Sequence, residues 1–358
     1  MIAHDLPPIP DVAADLVAAH RRSRSVTRAR LVAMDDGPAR VLRWCLINRL
    51  IESMANVFQD DRQLVLPPRR RHLRPAMDAR VAGSAVAFRH IDSRLEMRRL
   101  GHVADVVGHE TPFVLHAFAE GHSAGADETN PGLVRAASSA FDAVETTYRP
   151  PDGERCSDLL AGCVETVNAS DHDAAVRAAW MAATFLAIHP FVDGNGRTAR
   201  MLFQLVASTD DDLRLDWGSL EQWSIARRPY IDALKATQAP SLPTYDPELI
   251  DTRPFVEFAL RASAVGADLI HRRIDWIEWA WERGVPWQST TRALLELATV
   301  ISASATIDEL SALVAAPDCT TGINELVAAG RLRWDDRGLL RPATDHPLLI
   351  DERAVSTS

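Results

Sequence analysis

The stretch His189-Pro190-Phe191-Val192-Asp193-Gly194-Asn195-Gly196-Arg197-Thr198-Ala199-Arg200 constrains this chain more than any other. It sets an imidazole, a carboxylate, a glycine-bracketed turn and two arginines in one short loop and the segment after it. Upstream runs Ala174 to Ile188, helix-forming and apolar almost all round, which predicts a helix enclosed in a core. The run is too short, and carries Arg177, to span a membrane. Pro190 disfavours the α conformation at the preceding residue, so the helix is expected to end near His189. The imidazole then stands at the mouth of a rigid element, where it can be held for proton transfer.

Gly194 and Gly196 permit positive φ, and Asn195 is among the few other residues that tolerate it. A turn of this kind aims successive backbone N–H groups into one concavity that suits an anion. Arg197 to Ala207 reads as a second helix, whose positive N-terminal end adds to the same site. Arg197 and Arg200, three apart, share a face and are expected to grip one polyphosphate. Asp193 is a hard oxygen ligand whose use beside anions is to hold a bridging Mg²⁺. His189 remains as general base, with an unperturbed pKa suited to that task. The chemistry implied is phosphoryl or nucleotidyl transfer from a Mg²⁺-bound nucleotide to a hydroxyl.

At every fixed position this stretch resembles the signature of Fic-domain proteins, His-x-Phe-x-Asp/Glu-Gly-Asn-Gly-Arg-x-x-Arg. The resemblance implies a mainly α fold: a helical core with a β-hairpin flap. It also implies AMP transfer from ATP, with Mg²⁺ as cofactor, to a Ser, Thr or Tyr hydroxyl of a target protein. In these terms His189 is the base and Asp193 the Mg²⁺ ligand. Asn195 and Arg197, with the backbone at Gly194 and Gly196, hold the α- and β-phosphates. Arg200 holds the γ-phosphate, and Phe191 anchors the loop. Relatives that phosphorylate carry Lys where Arg197 stands, so the sequence has the AMP-transfer version.

The same resemblance extends on both sides. Thr111 to Glu120 would be the first core helix, and Asn130-Pro131-Gly132-Leu133-Val134-Arg135 matches the Pro-Gly-x-x-Arg element before the flap. The flap is expected within Ala136 to Pro151, where Val144, Thr146, Thr147 and Tyr148 have strand character. In relatives it receives the target's backbone as an added strand. Asp158 to Val167 is expected to be a helix, and Asp171 to cap the central one. Helical residues Leu220 to Gln238 resemble the stretch that contacts adenine, giving Tyr230 and Gln238 that role, with Gln where Asn is more usual. Many Fic proteins also carry an inhibitory helix, Ser/Thr-x-x-x-Glu-Gly/Asn. Asn48-Arg49-Leu50-Ile51-Glu52-Ser53 is a degenerate version, in which Glu52 would pair with Arg200 and hold ATP in a poor pose.

The 358 residues, 47% hydrophobic and 25% charged, are those of an ordinary globular protein with ample core. The net charge of −10 argues against general nucleic-acid affinity. The N-terminus has neither a basic nor an apolar signal region. Cys45, Cys156, Cys163 and Cys319 lack CxxC spacing and read as buried thiols. A cytoplasmic location without membrane contact is the resulting expectation.

Along the chain, residues 1–105 read as an N-terminal helical region, with apolar residues at helical spacing over Ala13–Ala19 and Val41–Phe58. One or two further helices are expected from Met77 to about Val107. The basic segment from Pro67 to Arg74 reads as a solvated connector. Residues 106–240 form the catalytic core, broken at Pro240–Pro247. Residues 241–285 form a helical connector, where Ile274, Trp276, Ile277 and Trp279 offer an apolar face to a second subunit, so a homodimer is one expected partner. Residues 286–358 look like a winged helix: helices over Thr290–Val300, Thr306–Val314 and Thr320–Ala329, then a two-stranded wing turning at Asp336 to Gly338.

This appendage supplies an alternative, a DNA-binding regulator with the Fic core as nucleotide sensor. Thr320–Ala329, in the recognition-helix place, has no basic residue and contains Glu325, so nucleic acid is not the expected partner. A second alternative, removal of AMP from a target, would need the inhibitory glutamate that Glu52 only partly matches.

Overall fold

The computed structural model describes residues 5–55, 75–121, 131–135, 148–209, 218–238, 245–283, 289–302 and 304–350. The basic segment expected over 67–74, the proline-rich break through Thr244 and most of the expected flap (136–147) lie outside the described residues. Helices dominate the rest: α1 (Ala14–Ala33), α2 (Asp36–Ala55), α3 (Pro75–Arg99), α4 (Thr111–Glu120), α5 (Gly153–Ala169), α6 (Ala174–Ile188), α7 (Asn195–Ala207), α8 (Ser219–Ile225), α9 (Arg227–Gln238), α10 (Arg253–Arg283), α11 (Thr290–Ser302), α12 (Ile307–Ser311), α13 (Ala316–Ala328) and α14 (Pro347–Ile350). Between α13 and α14 lie two short strands, β1 (Leu332–Trp334) and β2 (Leu340–Pro342). No described helix is long and apolar enough to cross a membrane.

The described residues divide between two compact units. Of these, the residues up to Arg24, those from Leu50 to 55 and those from 75 to Ala267 belong to the first, and those of Ser25–Arg49 and from Asp268 onward to the second. In the first unit α6 is the central rod. Every residue of it except Arg177 is buried, as its nearly uniform apolar sequence predicts. The expectation that Asp171 caps α6 is corrected: Asp173 does so, its carboxylate accepting from the Ala175 N–H at 2.9 Å. Asp173 sits one position before the first helical residue, where a side chain can reach that donor; Asp171 is two residues farther out.

Around α6 pack α5, through Leu159, Cys163 and Val167, and α7, through Met201, Leu202 and Leu205. The Trp180 indole donates to Pro7 O at 3.0 Å and so ties the N-terminal segment to the rod. Behind α7, Trp223 gathers Phe203, Tyr230, Phe255 and Phe258 into an aromatic cluster. Gly218, with φ +79°, starts α8 where an added Cβ would lie 2.7 Å from the backbone of Gly266, so only glycine fits there.

The second unit has its own core of Leu295, Ala298, Leu310, Ile323, Leu326, Leu332 and Leu340. Three helices followed by an antiparallel hairpin appear in the expected order, with α13 starting four residues earlier than the sequence suggested, at Ala316. Thr306 and Glu309 cap α12 reciprocally. Glu296, wholly buried on α11, meets His346 at 2.5 Å and Arg331 at 2.7 Å. Ile274, Trp276 and Ile277 are buried within the chain, so they do not offer the exposed apolar face read from the sequence. The four cysteines are buried free thiols, as expected.

Candidate active site

The signature loop hangs between the C-terminus of α6 and the N-terminus of α7. The helix ends where Pro190 predicts, but His189 takes an unusual form, with φ 49° and ψ 59°. Among the described residues it is the one non-glycine with positive φ. A left-handed conformation costs an L-residue about 1–2 kcal/mol, so neighbouring contacts have to hold it. Arg135 supplies them. Its guanidinium donates to the carbonyls of His189 (2.7 Å), Ile188 (3.4 Å) and Pro151, and its own N–H donates to Pro190 O at 2.9 Å. The Pro-Gly-x-x-Arg element thus closes the end of the rod.

Removal of that guanidinium in Arg135→Ala would leave buried carbonyls without a donor. We expect a loss of about 1–3 kcal/mol in stability, read as a lower urea midpoint. An unchanged midpoint would show that Arg135 does not hold the loop.

Burial, opposed by a hydrogen bond to the Leu186 backbone, takes the His189 imidazole down to about 3. Asn195 Nδ2 lies 2.8 Å from His189 Nε2. An amide N–H can only donate, so Nε2 accepts and the ring is neutral with its proton on Nδ1. The same Asn195 side chain donates to Phe191 O at 2.7 Å and accepts from Phe191 N–H at 3.0 Å, stapling the loop to itself. Phe191 is fully buried, as expected of an anchor, between Phe113, Phe185 and the face of His116.

Gly194 has the positive φ its sequence context implies, 76°, and precedes the first turn of α7. Gly196 differs from expectation. It lies inside that turn and has no positive φ, because the helix already begins at Asn195. The N-terminal amides of α7 therefore come from an ordinary helix start entered through one left-handed glycine.

Both arginines are buried. Arg200, 5% exposed, donates to Gly196 O at 3.0 Å and lies 5.7 Å from the centre of the Tyr230 ring. Arg197 points towards α4: its Nη2 is 2.6 Å from Glu120 Oε1 and 3.3 Å from Asp193 Oδ2, and its Nη1 donates to Ala119 O at 3.2 Å. Asp193 itself is 61% exposed in its side chain, and its Oδ1 accepts from the Gly194 N–H at 2.6 Å. One exposed carboxylate is a donor set suited to an ion such as Mg²⁺, which completes its shell with water and phosphate oxygens.

Of the residues assigned to adenine, Tyr230 sits in the aromatic cluster beside Arg200, and Gln238 is the half-buried last residue of α9. Glu52 is half-buried on α2 in the same compact unit. Tyr148, expected in the flap, is buried and its hydroxyl donates to Ala187 O at 2.7 Å.

Two side chains that the sequence alone did not single out join the site from α4. His116 Nδ1 accepts from the Gly132 N–H at 2.8 Å, so its Nε2–H donates to Asp193 O at 3.0 Å, while the ring stacks on Phe191 at 3.7 Å. Burial holds His116 down to about 4, which keeps this bridge neutral. Glu120, 1% exposed, is the ion-pair partner of Arg197, and burial outweighs that arginine in raising its carboxyl. The signal for both was their four-residue spacing on one face of an otherwise apolar helix.

Residues 114–207, from within α4 to the end of α7, match the Fic/DOC family model. These residues form a Fic/DOC-family domain. A crystal structure of a Fic family protein from Desulfovibrio desulfuricans shares the fold, with a TM-score of 0.54 at 15% identity, covering 94% of this chain and 98% of that one. A fragment of Fic-1 from C. elegans aligns with a TM-score of 0.47 at 17% identity, covering 75% of this chain and 74% of that one. No curated protein matches the chain. The Fic domain therefore contains the loop, both flanking helices, the Pro-Gly-x-x-Arg element and Glu120.

Proposed function

We propose that the Fic domain transfers AMP from ATP to a hydroxyl of a protein target, with Mg²⁺ bound at Asp193. The observation that carries this reading is a neutral imidazole, fixed in one tautomer, on the same short loop as the amino end of α7 and its two arginines. His189 would take the hydroxyl proton on Nε2 once Asn195 Nδ2 turns to the incoming nucleotide. Asn195, Arg197 and the backbone at Gly194 and Gly196 would hold the α- and β-phosphates; Arg200 would hold the γ-phosphate. Fixed donors of this kind favour the charge on the phosphate oxygens, and on the pyrophosphate that leaves as the α-phosphorus bonds to the hydroxyl oxygen, without having to reorganise. Mg²⁺ would supply charge neutralisation on the phosphate oxygens. Tyr230 and Gln238 remain the proposed adenine contacts, Glu52 the proposed inhibitory carboxylate and the segment at 136–151 the proposed target-docking edge.

The test is to incubate the protein with lysate and ATP labelled at either the α- or the γ-phosphorus. Label retained on protein only from the α-position is the expected result. Retention from the γ-position would mean phosphorylation, and retention from neither would remove the proposal.

A further inference from the structure

Glu120 is paired with Arg197, and the same contact bears on the carboxylate beside it, Asp193. We propose that Glu120 is a positioning residue for the metal ligand: by engaging Arg197 it leaves Asp193 available to a divalent cation. This rests on the assignment of Mg²⁺ to Asp193 made above.

Three observations lead to it. First, both carboxylates meet the same nitrogen, Arg197 Nη2, Glu120 at 2.6 Å and Asp193 at 3.3 Å. Second, Glu120 is buried whereas the Asp193 side chain is 61% exposed. Glu120 makes the closer contact and Asp193 the longer one, open to solvent, so Arg197 is engaged mainly by Glu120 and its own hold on Asp193 is the looser of the two. Third, the loop makes room for this carboxylate. Gly194 sits directly under it, and any Cβ there would collide with Glu120 Oε1.

With Glu120 neutralised, Asp193 becomes the one carboxylate on that nitrogen among the described residues. It is then drawn onto Arg197 and away from a cation. The local charge also changes, because one of the two carboxylates facing the guanidiniums of Arg197 and Arg80 is removed. Both effects weaken a bound cation. The second, by removing negative charge, does not weaken ATP on its own.

The experiment measures ATP binding by calorimetry in Mg²⁺ and in EDTA. The ratio of the two dissociation constants is the enhancement due to the metal. For Glu120→Gln, which keeps the shape, we expect that enhancement to fall about tenfold, as for outer partners of metal ligands in general, with ATP affinity in EDTA unchanged or tighter. An enhancement equal to that of the wild type would overturn the proposal. Equal weakening in Mg²⁺ and EDTA would show a purely structural role and overturn it too. Asp193→Asn separates the two layers: if it leaves the enhancement intact, the metal assignment fails and takes this inference with it. If Asp193→Asn abolishes the enhancement while Glu120→Gln does not change it, only the Glu120 role fails. Should Glu120→Gln not fold, Glu120→Asp, which keeps the charge but shortens its reach, is expected to give a smaller loss in the same direction. Wild-type behaviour of that variant would overturn the proposal.

Discussion

Replacing His189 with alanine is expected to lower AMP transfer by about two to four orders of magnitude, the usual contribution of a positioned proton acceptor, while ATP still binds. The structure supports this separation of effects. His189 contributes the one neutral, single-tautomer imidazole on the loop, whereas the phosphate-holding groups proposed above sit on Asn195, Arg197, Arg200 and the start of α7. The two readouts are transfer of α-labelled phosphorus and calorimetric ATP affinity. Near-normal labelling by the variant would show that another group takes the proton. Because burial takes His189 to about 3, the imidazole is unprotonated throughout the neutral range. The acid limb of kcat/KM is therefore expected well below the pH 6.5 of a free imidazole.

The second large effect concerns stability in acid. His189, His116 and His20 are all buried, and burial takes them from 6.5 to about 3, 4 and 4. Above pH 6.5 these imidazoles are neutral in both the folded and the unfolded chain, and none costs stability. As pH falls below 6.5 the unfolded chain takes up protons that the folded protein refuses, so stability is lost down to about pH 4. A tenfold difference in proton affinity between the two states is worth about 1.4 kcal/mol, so each histidine contributes a few kcal/mol. Together they rival the ~5–15 kcal/mol that holds a typical domain. Glu120 acts in the opposite sense, since its raised carboxyl takes up a proton more readily in the folded state.

Urea unfolding at pH 7, 6, 5 and 4 is expected to show a steep fall in midpoint. His20→Leu should flatten part of that slope. His20 is the cleanest probe, as neither of its buried ring nitrogens has a hydrogen-bond partner among the described residues. A midpoint independent of pH over that range would contradict the burial of these three rings.

The rod and the loop were legible in the sequence because each is specified locally. An apolar run with no polar face can only be enclosed, and proline at 190 ends it one residue earlier. Gly194 was likewise readable from its neighbours. Gly196 was not, because Asn195 is recruited into the helix by its own side-chain bonds to Phe191. Glu120 and His116 escaped notice for a different reason. Their partners, Arg197 and Asp193, lie more than seventy positions away, and only folding brings them together. The capping residue of α6 was misplaced by two positions, since several aspartates near a helix start look alike until the backbone chooses one. In the second unit the order of helices and hairpin followed from turn residues and periodicity. The apolar residues of α10, by contrast, gave no hint of what would cover them.

The loop joins two helices, α6 and α7, that are consecutive in the chain and pack against each other. Closing so short a connection loses little chain entropy, and contacts between near neighbours form quickly. The reacting groups are thus gathered on two helices that are neighbours in the chain, so the contacts between those helices are local in sequence. Arg135, His116 and Glu120 come to this pair from farther upstream and bind its loop and first turn, so the site combines local and distant contacts.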